Sequence, residues 1–213
     1  PRDFEKDSAL VRELGGDVLY APEPENMYAP DHATWVEVPA LANTLCGLSR
    51  PIHFRGVCTV VLKLFMLAQP SLAVFGEKDW QQLAIIKKMV SDLNVPVEVV
   101  GRPIVREADG LALSSRNVYL TPEERAQAPQ IRKSLEMAAG LAAGGERDAA
   151  RIIEAVRGYL AEHLPTGEED YISVVDPAVL TRVDRIEDMA LCALAIRLGK
   201  ARLIDNILLK VGE

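Results

Sequence analysis

The sequence predicts an α/β fold, and three observations carry that prediction. The apolar run Leu72-Ala73-Val74-Phe75 reads as a buried strand. It turns through Gly76 into a segment where Trp80, Leu83, Ile86, Val90 and Leu93 fall on one helical stripe. A second strand follows through Val97-Glu98-Val99-Val100, and strand–helix–strand order argues for parallel pairing with a right-handed crossover. Beyond Gly101-Arg102-Pro103 the pattern changes to helices and then clustered strands, the order of a small α+β domain. The domain boundary is placed near residue 104, giving domains 1–104 and 105–213.

Taken in order, residues 4–14 read as a helix with Phe4, Leu10 and Val11/Leu14 on its apolar side, ended by Gly15-Gly16. Asp17 to Pro22 reads as a strand leaving into a loop rich in Pro, Glu and Asp. Thr34-Trp35-Val36-Glu37-Val38 alternates enough for another strand. A short helix at 39–47 leads to the polar loop Ser49–Gly56, and the apolar segment Val57–Ala68 reads as a buried helix stopped by Pro70. After the strand at 72–75, the helix at about 77–94 and the strand at 97–100 comes a turn at 106–110. Thr121-Pro122-Glu123-Glu124 then starts a helix with a capping residue, a first-turn proline and a glutamate at the third position. That helix runs toward Gly140 or Gly144, and a second covers 147–163. Tyr171–Val175, Ala190–Ile196 and Ala201–Asn206 read as three strands.

With 213 residues, 49% of them hydrophobic, the chain has ample material for a core in one or two domains. The net charge is −7 and no Lys/Arg run is present, which argues against a nucleic-acid partner. An acidic protein can still hold a polyphosphate where cations are local, as Lys78 and Arg116 would be. No apolar run is long enough to span a membrane, and there is no signal peptide. Cys46, Cys58 and Cys192 lack zinc spacing and read as reduced thiols. His32, His53 and His163 are scattered, so no metal ligand set is expected.

Two stretches carry the chemistry. In Phe75-Gly76-Glu77-Lys78-Asp79-Trp80-Gln81-Gln82, a strand passes through Gly into a helix. This aims backbone N–H groups and the positive helix end at the sheet's carboxyl edge, where open α/β sheets bind anions. Lys78 adds a mobile cation, Asp79 can accept from hydroxyls, and Gln82 lies one turn on. Read alone, the same residues equally describe acids offsetting a dipole beside a solvated lysine. The second stretch, Asp109-Gly110-Leu111-Ala112-Leu113-Ser114-Ser115-Arg116-Asn117, packs two hydroxyls, a guanidinium and an amide into four positions. Such groups suit phosphate oxygens, although alone they also fit an ordinary polar loop.

Gly76-Glu77-Lys78-Asp79 with Gln82, Leu113-Ser114-Ser115-Arg116-Asn117, Ser49-Arg50-Pro51 with His53-Phe54-Arg55-Gly56, and Arg202-Leu203-Ile204-Asp205-Asn206 together resemble the pantothenate synthetase (pantoate–β-alanine ligase) family, in order and over essentially the whole chain. The resemblance implies a Rossmann-like domain of the nucleotidyltransferase/class I synthetase type, here incomplete, followed by a small α+β lid. It implies ATP-dependent condensation of pantoate with β-alanine through a pantoyl adenylate, releasing pyrophosphate and AMP, with Mg²⁺ accompanying the ATP. By the same resemblance, Lys78, Ser114, Ser115 and Arg116 hold the triphosphate and stabilise charge at the α-phosphate. Gly76, Glu77 and Asp79 lie at the nucleotide, with Gly76 and Asp79 at the ribose. Val105 meets adenine through its backbone, and Gln82 hydrogen-bonds pantoate. Leu113 stands where the family often has Met, a size-conserving change. A cytoplasmic homodimer in coenzyme A precursor synthesis is also implied.

Other residues stay open. Asp7 is a candidate for a place near the metal, but a solvated helix-face charge is the preferred reading. His53 reads as a structural histidine, and Arg50 or Arg55 either closes over substrate carboxylates or ties its loop down. Asp205 and Asn206 are expected to fix the last strand, Trp80 to pack in the core, and Cys58 to be a small core residue.

The chain begins at Pro1 and looks cut from something longer. The family carries its first strand, a Met-x-x-Leu-His-x-Gly-His-type phosphate signature and a glutamine contacting both pantoate and β-alanine further upstream. Residues 1–213 are therefore expected to be the later half of the nucleotide-binding domain plus the complete C-terminal domain, inactive as an isolated piece. Were they the whole protein, the expectation is a nucleotide-binding or dimerising fragment without turnover. A third reading is another adenylyl- or nucleotidyl-transferase, because the Ser-Ser-Arg loop is similar to the Lys-Met-Ser-Lys-Ser-type loop of that group.

Overall fold

The computed structural model describes residues 3–212. They form two compact units that divide between Thr34 and Trp35. In the first unit, α1 (Phe4–Glu13) is capped by Asp3, whose carboxylate accepts the Lys6 N–H at 3.1 Å. The expected apolar side does not form a buried stripe: Phe4, Leu10 and Leu14 are all exposed. Asp7 sits in the first turn, solvent-exposed, where a negative charge complements the helix dipole. The strand expected from Asp17 is absent. A short apolar run makes a strand only where a neighbour completes the ladder, and this segment pairs with none among the described residues. The acidic loop beyond it holds one short helix, α2 (Pro24–Met27).

The second unit begins with an extended segment rather than the expected strand. The Val36 N–H donates to Thr59 Oγ1 at 3.1 Å, not to a neighbouring strand. The helix expected over 39–47 is split into α3 (Pro39–Ala42) and α4 (Cys46–Ser49), because Leu45 between them has φ 44°. α5 (His53–Ala68) starts earlier than expected and takes in the second half of the polar loop. Its Phe54, Cys58 and Phe65 are buried, but Met66 and Leu67 are exposed, so it is a half-buried helix.

β1 (Leu72–Gly76) and β2 (Glu98–Arg102) pair in parallel, with Leu72 opposite Glu98 and Gly76 opposite Arg102. β1 is not the fully buried strand expected, since Leu72 and Val74 face outward. Between them a 3₁₀ turn (Glu77–Asp79) leads into α6 (Trp80–Asp92). Leu83 and Ile86 of the expected stripe are buried, while Leu93, just past the helix end, is exposed. A second 3₁₀ turn (Ser115–Tyr119) follows in the Ser-Ser-Arg loop.

Thr121 forms the expected capping box, but the helix stops after one short segment, α7 (Pro122–Gln127), and resumes as α8 (Gln130–Ala143). Pro129 lacks the N–H a continuous helix would need and serves instead as the cap of α8. α9 (Ala149–His163) and the antiparallel sheet β3 (Gly167–Val175), β4 (Met189–Leu198) and β5 (Ala201–Lys210) complete the chain, in the order β3-β4-β5.

The second unit has two cores. In one, Leu135, Ile152 and Val156 of α8 and α9 meet Cys192, Leu194 and Leu198 of β4. In the other, Phe54, Ile85, Ile86 and Met89 of α5 and α6 pack with Leu180, Leu191 and Ala193. The parallel pair and the antiparallel sheet therefore share apolar contacts across residue 104.

Candidate active site

At the carboxyl end of β1 a cleft of about 210 Å³ opens against β4 and β5. Four cations line it, Arg50, Lys78, Arg116 and Arg202, together with His53, Gln81, Gln82, Cys46 and Tyr171. Its carboxylates are Asp79 and Asp205. Asp205 is already neutralised: Arg106 donates to its two oxygens at 2.7 and 3.0 Å. The balance of charge in the cleft favours an anionic ligand.

The two stretches singled out in the sequence meet here. Lys78 Nζ donates to the Leu113 carbonyl at 2.9 Å, joining the Gly-Glu-Lys-Asp turn to the Ser-Ser-Arg loop. Lys78, Asp79, Gln82 and Arg116 line the cleft directly. Gly76 and Glu77 lead into it, and the Val105 carbonyl accepts the Leu113 N–H at 2.9 Å, so these positions are its immediate frame. Ser114 Oγ accepts the Arg116 N–H at 3.2 Å and caps the 3₁₀ turn that starts at Ser115. Ser114 and Ser115 are not among the residues lining the cleft. Burial pushes the Lys78 ammonium below the usual lysine range, Asp79 and Asp205 oppose that shift, and Arg116 and Arg106 add to it.

The open positions resolve differently from one another. Arg55 pairs with Glu37 at 3.5 Å and lies 5.0 Å over the Trp35 ring, so it ties down the extended segment. Arg50 lies in the cleft. His53, first residue of α5, also lines it. Desolvation lowers its pKa, helped by Arg50, against the opposing pull of Asp79, so the imidazole is neutral at pH 7. Trp80 packs on the core and donates Nε1–H to the Pro177 carbonyl at 2.8 Å. Asp205 and Asn206 do more than fix a strand, because both reach the loops of the cleft.

Sequence reasoning missed Gln81. It is 5% exposed; its side-chain oxygen accepts the Cys46 N–H at 3.0 Å, and its Nε2 donates to the Leu41 and Thr44 carbonyls at 2.9 and 2.8 Å. It ties α3 and α4 to α6. The close approach there requires Gly47, where a Cβ would sit 1.6 Å from the Ala42 carbonyl oxygen.

A second group also escaped notice. Cys46 Sγ lies 3.3 Å from the Tyr171 hydroxyl and accepts from both Arg202 terminal nitrogens at 3.6 and 3.5 Å. Arg202 in turn donates Nε–H and Nη2–H to Asp170 at 3.0 and 2.6 Å. A bulge between Glu169 and Tyr171 leaves Asp170 outside the ladder, the local distortion by which a strand re-aims a side chain. Burial raises the Asp170 carboxyl, but the Arg202 hydrogen bonds outweigh it and hold the group below its usual range. Burial likewise pushes the Tyr171 hydroxyl well up, with Cys46 adding to the shift, so it stays protonated. Among the described residues no group of three or more His, Cys, Asp or Glu is placed to hold a metal ion, and no helix is long and apolar enough to cross a membrane.

Comparison with known proteins places the chain in a family. A family model described as Pantoate-beta-alanine ligase matches residues 1–208. The pantothenate synthetase of Nitratidesulfovibrio vulgaris (strain Miyazaki F) is 65% identical over 213 residues, which is 100% of this chain and 75% of that protein. That of Syntrophotalea carbinolica is 51% identical over 206 residues, 97% of this chain and 72% of that protein. Among solved structures, pantothenate synthetase from Thermus thermophilus superposes with a TM-score of 0.92 at 47% identity, covering 97% of this chain and 75% of that one. A pantoate-beta-alanine ligase from Francisella tularensis, complexed with β,γ-ATP and β-alanine, does so at 0.75 and 29% identity, covering 98% and 70%.

Proposed function

The chain belongs to the pantoate–β-alanine ligase family and is a ligase that joins pantoate to β-alanine using ATP; from that premise we propose how its own residues divide the work. A pantoate carboxylate oxygen attacks the α-phosphorus, the bond to the β-phosphate oxygen breaks, and pyrophosphate leaves with the electron pair. The neutral amine of β-alanine then attacks the acyl carbon, AMP leaves, and the amine proton is released. Both steps need like charges brought together and held in line, so positioning and fixed positive charge are the main requirements.

Lys78 and Arg116 neutralise the phosphates and the charge that develops at the α-phosphate. Ser114 and Ser115 offer hydroxyls and backbone N–H groups at the start of their turn. Gly76 and Asp79 frame the ribose, Glu77 and Leu113 belong to the ATP site, Val105 meets the adenine through its backbone, and Gln82 hydrogen-bonds pantoate. The single observation that carries this division is the Lys78–Leu113 hydrogen bond, which joins the two phosphate-binding stretches over one cation-lined cleft.

Mg²⁺ accompanies the ATP in this reading. Asp79 is the cleft carboxylate outside an arginine pair and would be the protein group beside an ion that takes phosphate oxygens. When bound, the ion supplies further charge neutralisation on the triphosphate. A homodimer in the cytoplasm completes the proposal, and sedimentation equilibrium tests the assembly.

The reaction is tested by following AMP release and pantoate-dependent exchange of pyrophosphate into ATP. Release that requires both pantoate and β-alanine, with exchange that requires pantoate alone, supports the scheme. Exchange that proceeds without pantoate would sink it. A nucleotide-binding chain without turnover is not favoured, because relatives 51% to 65% identical over nearly all of this chain are pantothenate synthetases.

A further inference from the structure

β5 carries two adjacent buried polar residues, Asp205 at 3% and Asn206 at 7% exposure. The ladder with β4 is continuous through them, Leu194 opposite Asp205 and Ala193 opposite Asn206, so neither side chain is needed to hold the strand. Each reaches instead to a different loop of the cleft. Asn206 Nδ2 donates to the Glu77 and Lys78 carbonyls at 3.0 and 3.1 Å, pinning the 3₁₀ turn that carries the Lys78 ammonium. Asp205 accepts from Arg106, and Arg106 also donates to the Gly110 carbonyl at 3.1 Å, anchoring the loop that leads to Arg116. The Asn206 N–H donates to Asp205 Oδ1 at 2.8 Å, so the two tethers are themselves linked.

We propose that Asp205 and Asn206 form a clamp that sets the spacing between the Lys78 turn and the Ser-Ser-Arg loop, and that Asn206 is a positioning residue for adenylation, acting through Lys78. The inference rests on the assignment of Lys78 made above. An amide donating to two consecutive carbonyls leaves that turn one orientation. An oxygen in place of the Asn206 nitrogen would face both carbonyls and push the turn away, and small displacements of charged groups at a phosphoryl-transfer site are expensive in rate.

The test uses the intact enzyme and pantoate-dependent pyrophosphate–ATP exchange. Asn206→Asp, nearly isosteric, is expected to lose about 10²-fold in exchange rate while β-strand circular dichroism is retained. Combined with Lys78→Met, it is expected to add nothing to the loss from Lys78→Met alone, because residues acting through one group are not additive. Asn206→Ser, which restores one small donor, is expected to fall between the parent and Asn206→Asp, and it carries the test if Asn206→Asp does not fold. Losses that multiply in the double variant would overturn the clamp, since a purely structural effect is independent of Lys78. So would exchange within about twofold of the parent in the folded Asn206 variants. Should Lys78→Met itself exchange normally, the assignment of Lys78 fails, and the clamp with it.

Discussion

Replacing Gln81 by Met is expected to destabilise the protein by about 4 kcal/mol. The side chains are similar in length, so the effect is one of hydrogen bonds and not of volume. The bond to the Leu41 carbonyl is buried, and its loss leaves an acceptor with no water, at about 2 kcal/mol. The bonds to the Thr44 carbonyl and the Cys46 N–H are only partly buried, so water recovers some of each and about 1 kcal/mol apiece remains. For a chain of this length the sum corresponds to a fall in Tm of about 8–16 °C. Urea unfolding of parent and variant measures it directly, as a lowered midpoint with unchanged slope. Gln81→Glu adds a control with a sign. Its carboxylate still accepts from Cys46 but faces two carbonyls, which raises its folded pKa. Its stability relative to the parent should therefore improve as pH falls toward about 4.3 and worsen as pH rises through the raised value. A loss below about 1 kcal/mol in Gln81→Met would refute the assignment of Gln81 as the tether of α3 and α4.

Lys78→Met should cut kcat by about 10²–10³-fold while unfolding stays near that of the parent, checked by initial rates alongside urea titration. Because burial lowers the Lys78 pKa, the ammonium is lost as pH rises through a value below the usual lysine range; the alkaline limb of kcat/KM should set in there, and a limb unchanged in Lys78→Met with its residual rate would contradict it. Gly199→Ala should cost about 2–3 kcal/mol in thermal unfolding, because φ is +54° and the new Cβ would lie 2.1 Å from Glu124 Oε1, displacing the carboxylate that accepts the Thr121 N–H. Asp170 has a depressed folded pKa, so its contribution to stability is complete above the unfolded carboxyl value and is lost as pH falls through the folded one; Asp170→Asn should flatten that part of the acid unfolding curve.

What could be read in the sequence followed the range over which each signal acts. α9 and the strands around 190–210 were legible because long apolar patterns report locally, and the helix start at Thr121 because its capping residues do; the break at Pro129 that separates α7 from α8 was not. The Gly-Glu-Lys-Asp turn and the Ser-Ser-Arg loop were legible because their signals are local too. The strand expected at Asp17 is not formed, since a short apolar run such as Val18-Leu19-Tyr20-Ala21 does not say whether a partner lies beside it. Gln82 drew attention and Gln81 did not, although Gln81 is the buried one. Its partners lie 35 to 40 residues away and are backbone groups, which leave no mark in composition. Cys46, Tyr171 and Arg202 come together across 125 and 156 residues. Asp170, which holds Arg202 there, is left outside the ladder by a bulge, and bulges have no dependable sequence signal.

The three thiols differ in a way that makes the protein its own optical reporter. Cys58 and Cys192 are buried, and burial pushes their pKa values up to about 11 and about 12, so both stay protonated and out of reach. Cys46 is half-exposed on the wall of the cleft. A maleimide dye added near neutral pH should therefore settle on Cys46 without any engineering of the other two. Its emission would then follow each arrival and departure of ligand beside Arg202 and Tyr171, turning the occupancy of a single cleft into a continuous fluorescence trace.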